Sequence, residues 1–179
     1  MMITAQHIAQ LQQQFAAFIT PLWIHVEVAS QSLRLLRQDK VLQEYPVSTA
    51  TLGVGCEQDS YKTPYGAHSI AACIGGGQPI AEIFVGRRAI GKTATIEQQA
   101  VATGEDLILS RILWLKGLQG NINQGAGVDS YERYIYIHGT QEEGLLGQPA
   151  SHGCVRMANQ DVIDLFEPVM VGTFVYIAG

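Results

Sequence analysis

The chain has 179 residues, of which 47% are hydrophobic and 15% charged, and these proportions indicate one folded domain with a real core rather than a disordered chain. Sixteen acidic and 11 basic residues give a formal net charge of −5, and the scattered basic residues argue against nucleic acid as a partner. No segment reaches the run of about 20 apolar residues that a membrane helix needs, so no membrane partner is expected.

The N-terminal segment, residues 1–20, is predicted to form an amphipathic helix that packs on the domain after it. Four apolar side chains recur at helical spacing: Ile8, Leu11, Phe15 and Phe18. The helix is expected to stop before Pro21. Residues 21–179 are predicted to form the remaining, single domain.

The same segment lacks the basic start, continuous apolar stretch and small-residue cleavage site of a secretory signal. The three cysteines, Cys56, Cys73 and Cys154, are an odd number without a C-x-x-C pair, which is not a disulfide framework. Both observations predict a cytoplasmic protein with reduced thiols.

After Pro21 the hydrophobic pattern becomes that of short strands, which predicts a mostly β fold with few helices. Residues 22–30, 31–38 and 40–49 are predicted to form an antiparallel meander, and further strands are predicted over 67–77, 106–118, 131–140 and 173–178. Residues 159–169 are predicted to form a helix with Asn159 as its N-cap and Asp161 in its first turn. The turn-rich segment 86–105 is expected to be a covering loop or lid.

The residues with catalytic chemistry lie between His138 and Arg156. A cysteine becomes a strong nucleophile as thiolate, and a neighbouring imidazole can accept the thiol proton and hold the resulting ion pair. His138 at a strand end and Cys154 on a following loop could form that pair, because the glycines and proline between them allow the chain to fold back. Arg156 offers a bidentate donor for a substrate carboxylate, although a structural salt bridge explains that arginine equally well.

Two other interpretations of Cys154 stay open on its chemistry alone. A single cysteine is usually a small buried apolar side chain. His138, His152 and Cys154 could also bind zinc, but no nearby residue supplies the fourth ligand that a structural site usually needs. We therefore predict no metal and no cofactor.

The same residues resemble the catalytic motif of the L,D-transpeptidase family with the YkuD-type catalytic domain. The motif is a histidine followed by Ser/Thr-His-Gly-Cys, a hydrophobic residue and Arg or Asn, and here it reads His138 and then Ser151 to Arg156 without a departure. The segment YKTPYGAHSI also looks like the family's Thr-Pro-x-Gly turn, and residues 26–50 look like its opening strands. The resemblance covers roughly Trp23 to Ala178 and implies a β-sandwich-like catalytic domain.

The resemblance implies a role for each residue of the motif. Cys154 would be the nucleophile, His138 the general base, and the carbonyl of Gly139 the group that orients the imidazole. The backbone N–H groups of His152, Gly153 and Cys154 would form the oxyanion hole. Ser151 and Arg156 would be the substrate-binding residues. Ser151 and His152 would mainly shape the loop, which Arg156 would also support.

The resemblance also implies acyl transfer on peptidoglycan tetrapeptides or muropeptides, at the bond between diaminopimelate and D-alanine. Because the chain is expected in the cytoplasm, we predict hydrolysis, which makes it an L,D-carboxypeptidase of murein recycling. The alternative is an L,D-transpeptidase that cross-links peptidoglycan. A third alternative, from another class, is a muropeptide sensor without turnover.

Overall fold

The computed structural model of the protein describes residues 3–179, so residues 1 and 2 of the predicted N-terminal helix lie outside the described residues. Within that range there are two α-helices, α1 (Ala5–Gln14) and α2 (Asn159–Phe166), and one short 3-10 helix, Glu143–Leu145. The strands are β1 (Leu22–Glu27), β2 (Ser32–Arg37), β3 (Lys40–Ser48), β4 (Gly66–Ile74), β5 (Glu82–Val85), β6 (Arg88–Thr93), β7 (Ile108–Gly117), β8 (Tyr136–Gly139), β9 (Val155–Met157) and β10 (Phe174–Ala178).

All ten strands belong to one sheet that closes on itself. Its order is β4-β10-β1-β2-β3-β9-β8-β7-β5-β6, and an additional pairing of β4 with β7 closes the ring. The hairpin of β5 and β6 extends from β7 outside that ring. The mostly β prediction is confirmed, and the expected sandwich-like core takes the form of a barrel-like closed sheet.

The interior of the sheet is filled by apolar side chains from alternate positions of the strands. Ile24, Leu33, Ile137 and Val155 are fully buried in one continuous cluster. Helix α2 contributes Val162 and Leu165 to the same cluster. Because Ile137 and Val155 point inward, the residues on either side of them in β8 and β9 point to the opposite face.

The N-terminal helix α1 packs on the outside of the sheet. Ile8 and Leu11 of α1, and Phe15 directly after it, are buried against a second cluster that includes Trp23 and Phe174. Phe18 was predicted to join them but is 48% exposed, because the helix ends at Gln14 and the chain continues in turns. No helix within residues 3–179 is long and apolar enough to cross a membrane.

The predicted strand over residues 131–140 is wrong in its first half. Residues 131–134 form turns, and β8 begins only at Tyr136. The Asp129 carboxylate accepts hydrogen bonds from the backbone N–H groups of Tyr131 and Glu132, at 2.9 and 3.3 Å, and so favours a turn over a strand. Tyr134 has a φ of +55°, which is incompatible with a strand.

Two further predictions need correction. The N-cap of α2 is Ala158, whereas Asn159 is the first helical residue and its side-chain amide donates to Thr140 O at 2.8 Å. Segment 86–105 is not a loop throughout, because its residues 88–93 are strand β6. The turn before β6 consists of Gly86 and Arg87, whose φ angles of +53° and +66° suit a tight two-residue hairpin.

Candidate active site

The parallel pairing of β8 with β9 brings His138 and Cys154 together. Ile137 pairs with Val155 and His138 with Arg156, and Cys154 directly precedes β9. Since side chains alternate across a strand, His138, Cys154 and Arg156 share the face opposite the apolar interior. The two residues of the predicted catalytic pair therefore lie on neighbouring chain segments and on one face of the sheet.

Short hydrogen bonds hold the loop that carries Cys154. The Ser151 hydroxyl donates to Cys154 O at 2.6 Å and accepts from the Gly153 N–H at 3.2 Å. The Thr63 hydroxyl, from the Thr-Pro-x-Gly turn, donates to Gly153 O at 3.0 Å. Gly153 has a φ of +136°, which only glycine adopts readily, so the loop depends on the glycine of the motif.

These contacts bear on the predicted oxyanion hole. The Gly153 N–H already has the Ser151 hydroxyl as its acceptor, so it would have to exchange that partner before it could bind a substrate oxygen. The roles of the His152 and Cys154 N–H groups stay predictions. The Ser151 hydroxyl holds the loop through these two hydrogen bonds, and its contact with substrate also stays a prediction.

The Cys154 thiol is partly buried between backbone groups and aromatic side chains. The sulfur accepts from the Tyr136 N–H at 3.3 Å, and the thiol donates to Tyr134 O at 3.4 Å. Phe84 and Ile112 belong to the apolar cluster on which Cys154 packs. Burial raises the pKa of the Cys154 thiol to about 12, so the resting group is the neutral thiol.

His138 is 1% exposed, and its Nδ1 lies 2.6 Å from Gly139 O. Because a carbonyl oxygen can only accept, Nδ1 carries the proton and Nε2 keeps a lone pair for a base. Burial lowers the pKa of His138 to about 4, although the bond to Gly139 O acts in the opposite direction. Both pKa shifts favour a neutral thiol and a neutral imidazole in the resting pair, and the ion pair stays a prediction.

Gly139 itself is confined by its neighbours. A Cβ at this position would lie 2.5 Å from Asn159 Oδ1 and 2.8 Å from Leu109 O. Any side chain would therefore displace the backbone whose carbonyl holds His138. This packing fixes the position of the Gly139 carbonyl beside His138 Nδ1, and the role of Gly139 in orienting the imidazole stays a prediction.

The guanidinium of Arg156 is 2% exposed and is occupied by two carboxylates. It donates to Glu142 Oε2 at 2.8 Å and to Asp106 Oδ1 at 2.5 Å. The structural salt bridge that the sequence left open is present. Binding of a substrate carboxylate by Arg156 stays a prediction, and it would have to compete with these two partners.

Asp106 connects Arg156 to His152. Its Oδ2 lies 2.9 Å from His152 Nδ1, and the His152 side chain is 64% exposed. Burial acts to raise the pKa of Asp106, but the Arg156 guanidinium and the His152 hydrogen bond together hold that pKa below its ordinary value. Among residues 3–179 no group of three or more His, Cys, Asp or Glu side chains is placed to hold a metal ion.

Several residues at this face escaped the sequence analysis. Asp106 and Glu142 support the motif, and an open cavity of about 380 Å³ lies beside Asp106, His152 and Arg156. The rings of Tyr134 and Tyr136 contact the Trp114 ring, and the guanidinium of Arg87 lies over that ring. These residues come from separate strands and loops, and no local sequence pattern links them to the motif.

Comparison with protein families agrees with this geometry. The model of the L,D-transpeptidase catalytic domain family, YkuD, matches residues 21–177. This chain belongs to that family. The match covers β1 to β9 and all of β10 except its last residue, and it leaves α1 outside.

Similar curated proteins share only a short stretch with this chain. It is 49% identical over 45 residues to the putative L,D-transpeptidase YqjB of Bacillus subtilis, a stretch that covers 25% of this chain and 26% of YqjB. It is 51% identical over 41 residues to the probable L,D-transpeptidase YbiS of Escherichia coli, which covers 23% of this chain and 13% of YbiS. The aligned stretches thus span about a quarter or less of either relative.

Solved structures of the family show the same fold. L,D-transpeptidase 3 from Mycobacterium tuberculosis, solved with a faropenem-derived adduct, superposes with a TM-score of 0.54 at 13% identity and covers 89% of this chain and 60% of that one. A mutant L,D-transpeptidase from Enterococcus faecium gives a TM-score of 0.52 at 15% identity, over 89% of this chain and 50% of that one. At these identities the likeness concerns the fold.

Proposed function

We propose that the protein is a cytoplasmic L,D-carboxypeptidase that removes the terminal D-alanine from peptidoglycan tetrapeptides through a thioester on Cys154. One observation carries the acyl-transfer chemistry. His138 and Cys154 share one face of adjacent segments, and the bond from His138 Nδ1 to Gly139 O leaves Nε2 as the basic nitrogen. Membership of the L,D-transpeptidase catalytic domain family supports a peptidoglycan peptide as substrate.

The proposed reaction begins from the neutral pair. The Cys154 sulfur attacks the carbonyl carbon of the diaminopimelate residue while its proton passes to His138 Nε2. The C–N bond breaks, and the leaving D-alanine amine takes that proton from His138. Water then attacks the thioester with His138 as base, which releases the tripeptide acid and restores the thiol.

The choice of water as the acceptor follows from the proposed compartment. The three cysteines carry free thiols, which supports a reducing environment. Soluble muropeptides, rather than polymerised wall, are the peptidoglycan substrates expected there. Recycling of such fragments would require a tripeptide product and no cross-link.

A second candidate is the L,D-transpeptidase reaction, in which the amine of another stem peptide attacks the same thioester. The relatives named above favour it, because they are described as putative or probable L,D-transpeptidases. The first half-reaction is identical in the two candidates. Only the acceptor differs.

Incubation of the purified protein with free tetrapeptide and with disaccharide tetrapeptide distinguishes the candidates. We expect tripeptide and free D-alanine in equal amounts, detected by mass spectrometry, and loss of both in Cys154→Ala. The matched control is Cys73→Ala, which removes another free, partly buried thiol outside the site and should retain activity. Dimers without tripeptide would support the transpeptidase, and tight binding without product would support the muropeptide sensor.

A further inference from the structure

We propose that Arg87 binds a carboxylate of the substrate peptide, in the place that the sequence analysis gave to Arg156. This inference rests on the proposed function and names the group that recognises the substrate's charge. Arg87 occupies the second position of the tight turn between β5 and β6, outside the matched motif. The hairpin extends from β7, the strand that pairs with β8 beside the nucleophile.

Aromatic groups hold the Arg87 guanidinium in place. Its central carbon lies 4.8 Å from the centre of the Trp114 ring and 5.2 Å from that of Tyr134. Its Nη1 donates to the Tyr136 hydroxyl at 3.2 Å. Trp114 is itself held by Tyr131, whose ring stacks on it at 4.0 Å with an angle of 6° between the planes. Such contacts position a guanidinium without neutralising its charge.

The two tyrosines that contact Arg87 also contact the nucleophile. Tyr136 holds the Cys154 sulfur through its backbone N–H, and Tyr134 accepts from the thiol through its carbonyl. Tyr136 thus contacts the Cys154 thiol through its backbone N–H and the Arg87 guanidinium through its hydroxyl. Arg87 therefore lies one tyrosine side chain away from the reacting sulfur.

The other arginines near the motif already have their partners. Arg156 donates to two carboxylates, and Arg133 donates to the backbone carbonyls of Gly55 and Lys62. No ion pair joins Arg87 to a carboxylate of residues 3–179, and the ionisable groups around it are the hydroxyls of three tyrosines. Arg87 is only partly buried, so its outer donors face a ligand from solvent.

A carboxylate is the ligand that this arrangement fits. A guanidinium presents paired N–H donors that match the two oxygens of a carboxylate. The proposed substrate has two carboxylates close to the attacked carbonyl. One is the terminal carboxylate of the leaving D-alanine, and the other is on the diaminopimelate side chain.

The test compares three tetrapeptides in the full-length protein: the free acid, the C-terminal amide and the peptide amidated on the diaminopimelate side chain. The variants are Arg87→Gln and Arg87→Lys, with Arg88→Gln as matched control. Arg88 is exposed in the same hairpin, and its replacement removes the same charge. The rate of D-alanine release gives kcat/KM for each pair.

We expect Arg87→Gln to lower kcat/KM for the free acid by about 10- to 100-fold, the range of a charge-assisted hydrogen bond. For one of the two amidated peptides, the wild-type kcat/KM should be lower than for the free acid by that same factor. Arg87→Gln should lower kcat/KM for this peptide no further, which identifies the carboxylate that Arg87 binds. Arg87→Lys should show a smaller decrease in kcat/KM for peptides that carry that carboxylate. Arg88→Gln should match the wild type on all three peptides.

Equal losses on all three peptides in Arg87→Gln, with wild-type alkylation of Cys154 by iodoacetamide, would overturn the assignment while the proposed function stands. If Arg87→Gln does not fold, Arg87→Lys decides by the same comparison. A wild type that releases D-alanine from none of the peptides would overturn the proposed function, and this inference with it.

Discussion

Replacing Arg156 with methionine distinguishes a structural ion pair from a substrate contact. Methionine keeps much of the buried volume but leaves the Glu142 carboxylate, 5% exposed, without its cationic partner. Loss of the guanidinium destabilises the Asp106 carboxylate less, because its side chain is 40% exposed and can be hydrated. Breaking a buried ion pair by removing one member costs about 3–5 kcal/mol, so we expect a loss of that size in the free energy of unfolding.

Urea unfolding measures this loss. With a slope of about 2–3 kcal/mol per molar urea, the midpoint should fall by about 1–2.5 M. The double variant Arg156→Met with Glu142→Gln should recover about 1–3 kcal/mol, because the amide oxygen is uncharged yet can still accept from the Thr103 N–H. Arg88→Met, at an exposed position, should stay within about 0.5 kcal/mol of the wild type.

Unfolding of Arg156→Met at the wild-type urea concentration, together with a raised KM for the tetrapeptide, would contradict a structural role of the ion pair. That result would assign the guanidinium to the substrate. A large loss in the free energy of unfolding, partly recovered in the double variant, would show that the Arg156 guanidinium supports the loops that carry Asp106 and Glu142.

Three further predictions concern pH and the nucleophile loop. Burial lowers the pKa of His25 to about 3 and those of His68 and His138 to about 4. Each of these histidines stays neutral in the folded protein but takes up a proton in the unfolded chain below about pH 6.5. The free energy of unfolding therefore falls as the pH falls, by about 2 kcal/mol per histidine at pH 5, and urea titrations measure this loss. Alkylation of Cys154 by iodoacetamide should keep rising with pH up to about 9, because burial raises its thiol pKa to about 12. Gly153→Ala should cost about 1–3 kcal/mol by urea unfolding and slow D-alanine release, since alanine is strained at a φ of +136°.

Each of these has a result that would contradict it. Equal stability at pH 7.5 and pH 5 would show that the buried histidines keep ordinary pKa values. His25→Phe should remove about a third of the acid effect, because neither His25 ring nitrogen has a hydrogen-bond partner within residues 3–179. A plateau in the alkylation rate between pH 5 and 9 would indicate a thiolate-imidazolium pair. Wild-type stability of Gly153→Ala would show that the loop tolerates a side chain.

The sequence predicts most of the strands of the closed sheet. The meander of β1 to β3 follows the two-residue alternation, β7 follows from an apolar run rich in β-branched and aromatic residues, and β10 closes the chain as expected. The alternation before β8 misleads, because the hydrogen bonds to Asp129 hold residues 131–134 in turns. Strand β5 was missed because it has four residues, and β6 because its strand pattern is interrupted by Gly91. Closure of the sheet by the pairing of β4 with β7 is a tertiary contact that no local pattern encodes.

In the candidate site, too, residues in a local sequence pattern could be predicted, and residues brought in by tertiary contacts could not. His138 and the residues from Ser151 to Arg156 could be found because they form a contiguous motif with one distant partner. Asp106 and Glu142 could not, since only the folded chain brings them to Arg156. The protonation state of the pair also depends on burial, which the motif does not contain.

Peptide mapping by mass spectrometry, after acid quenching of a reaction with the tetrapeptide, shows directly which residue carries the acyl group. We predict a tripeptide acyl group on the peptide that contains Cys154, formed together with free D-alanine and absent from Cys154→Ala. Release of D-alanine by Cys154→Ala at the wild-type rate, or an acyl group on Cys56 or Cys73 instead, would contradict it.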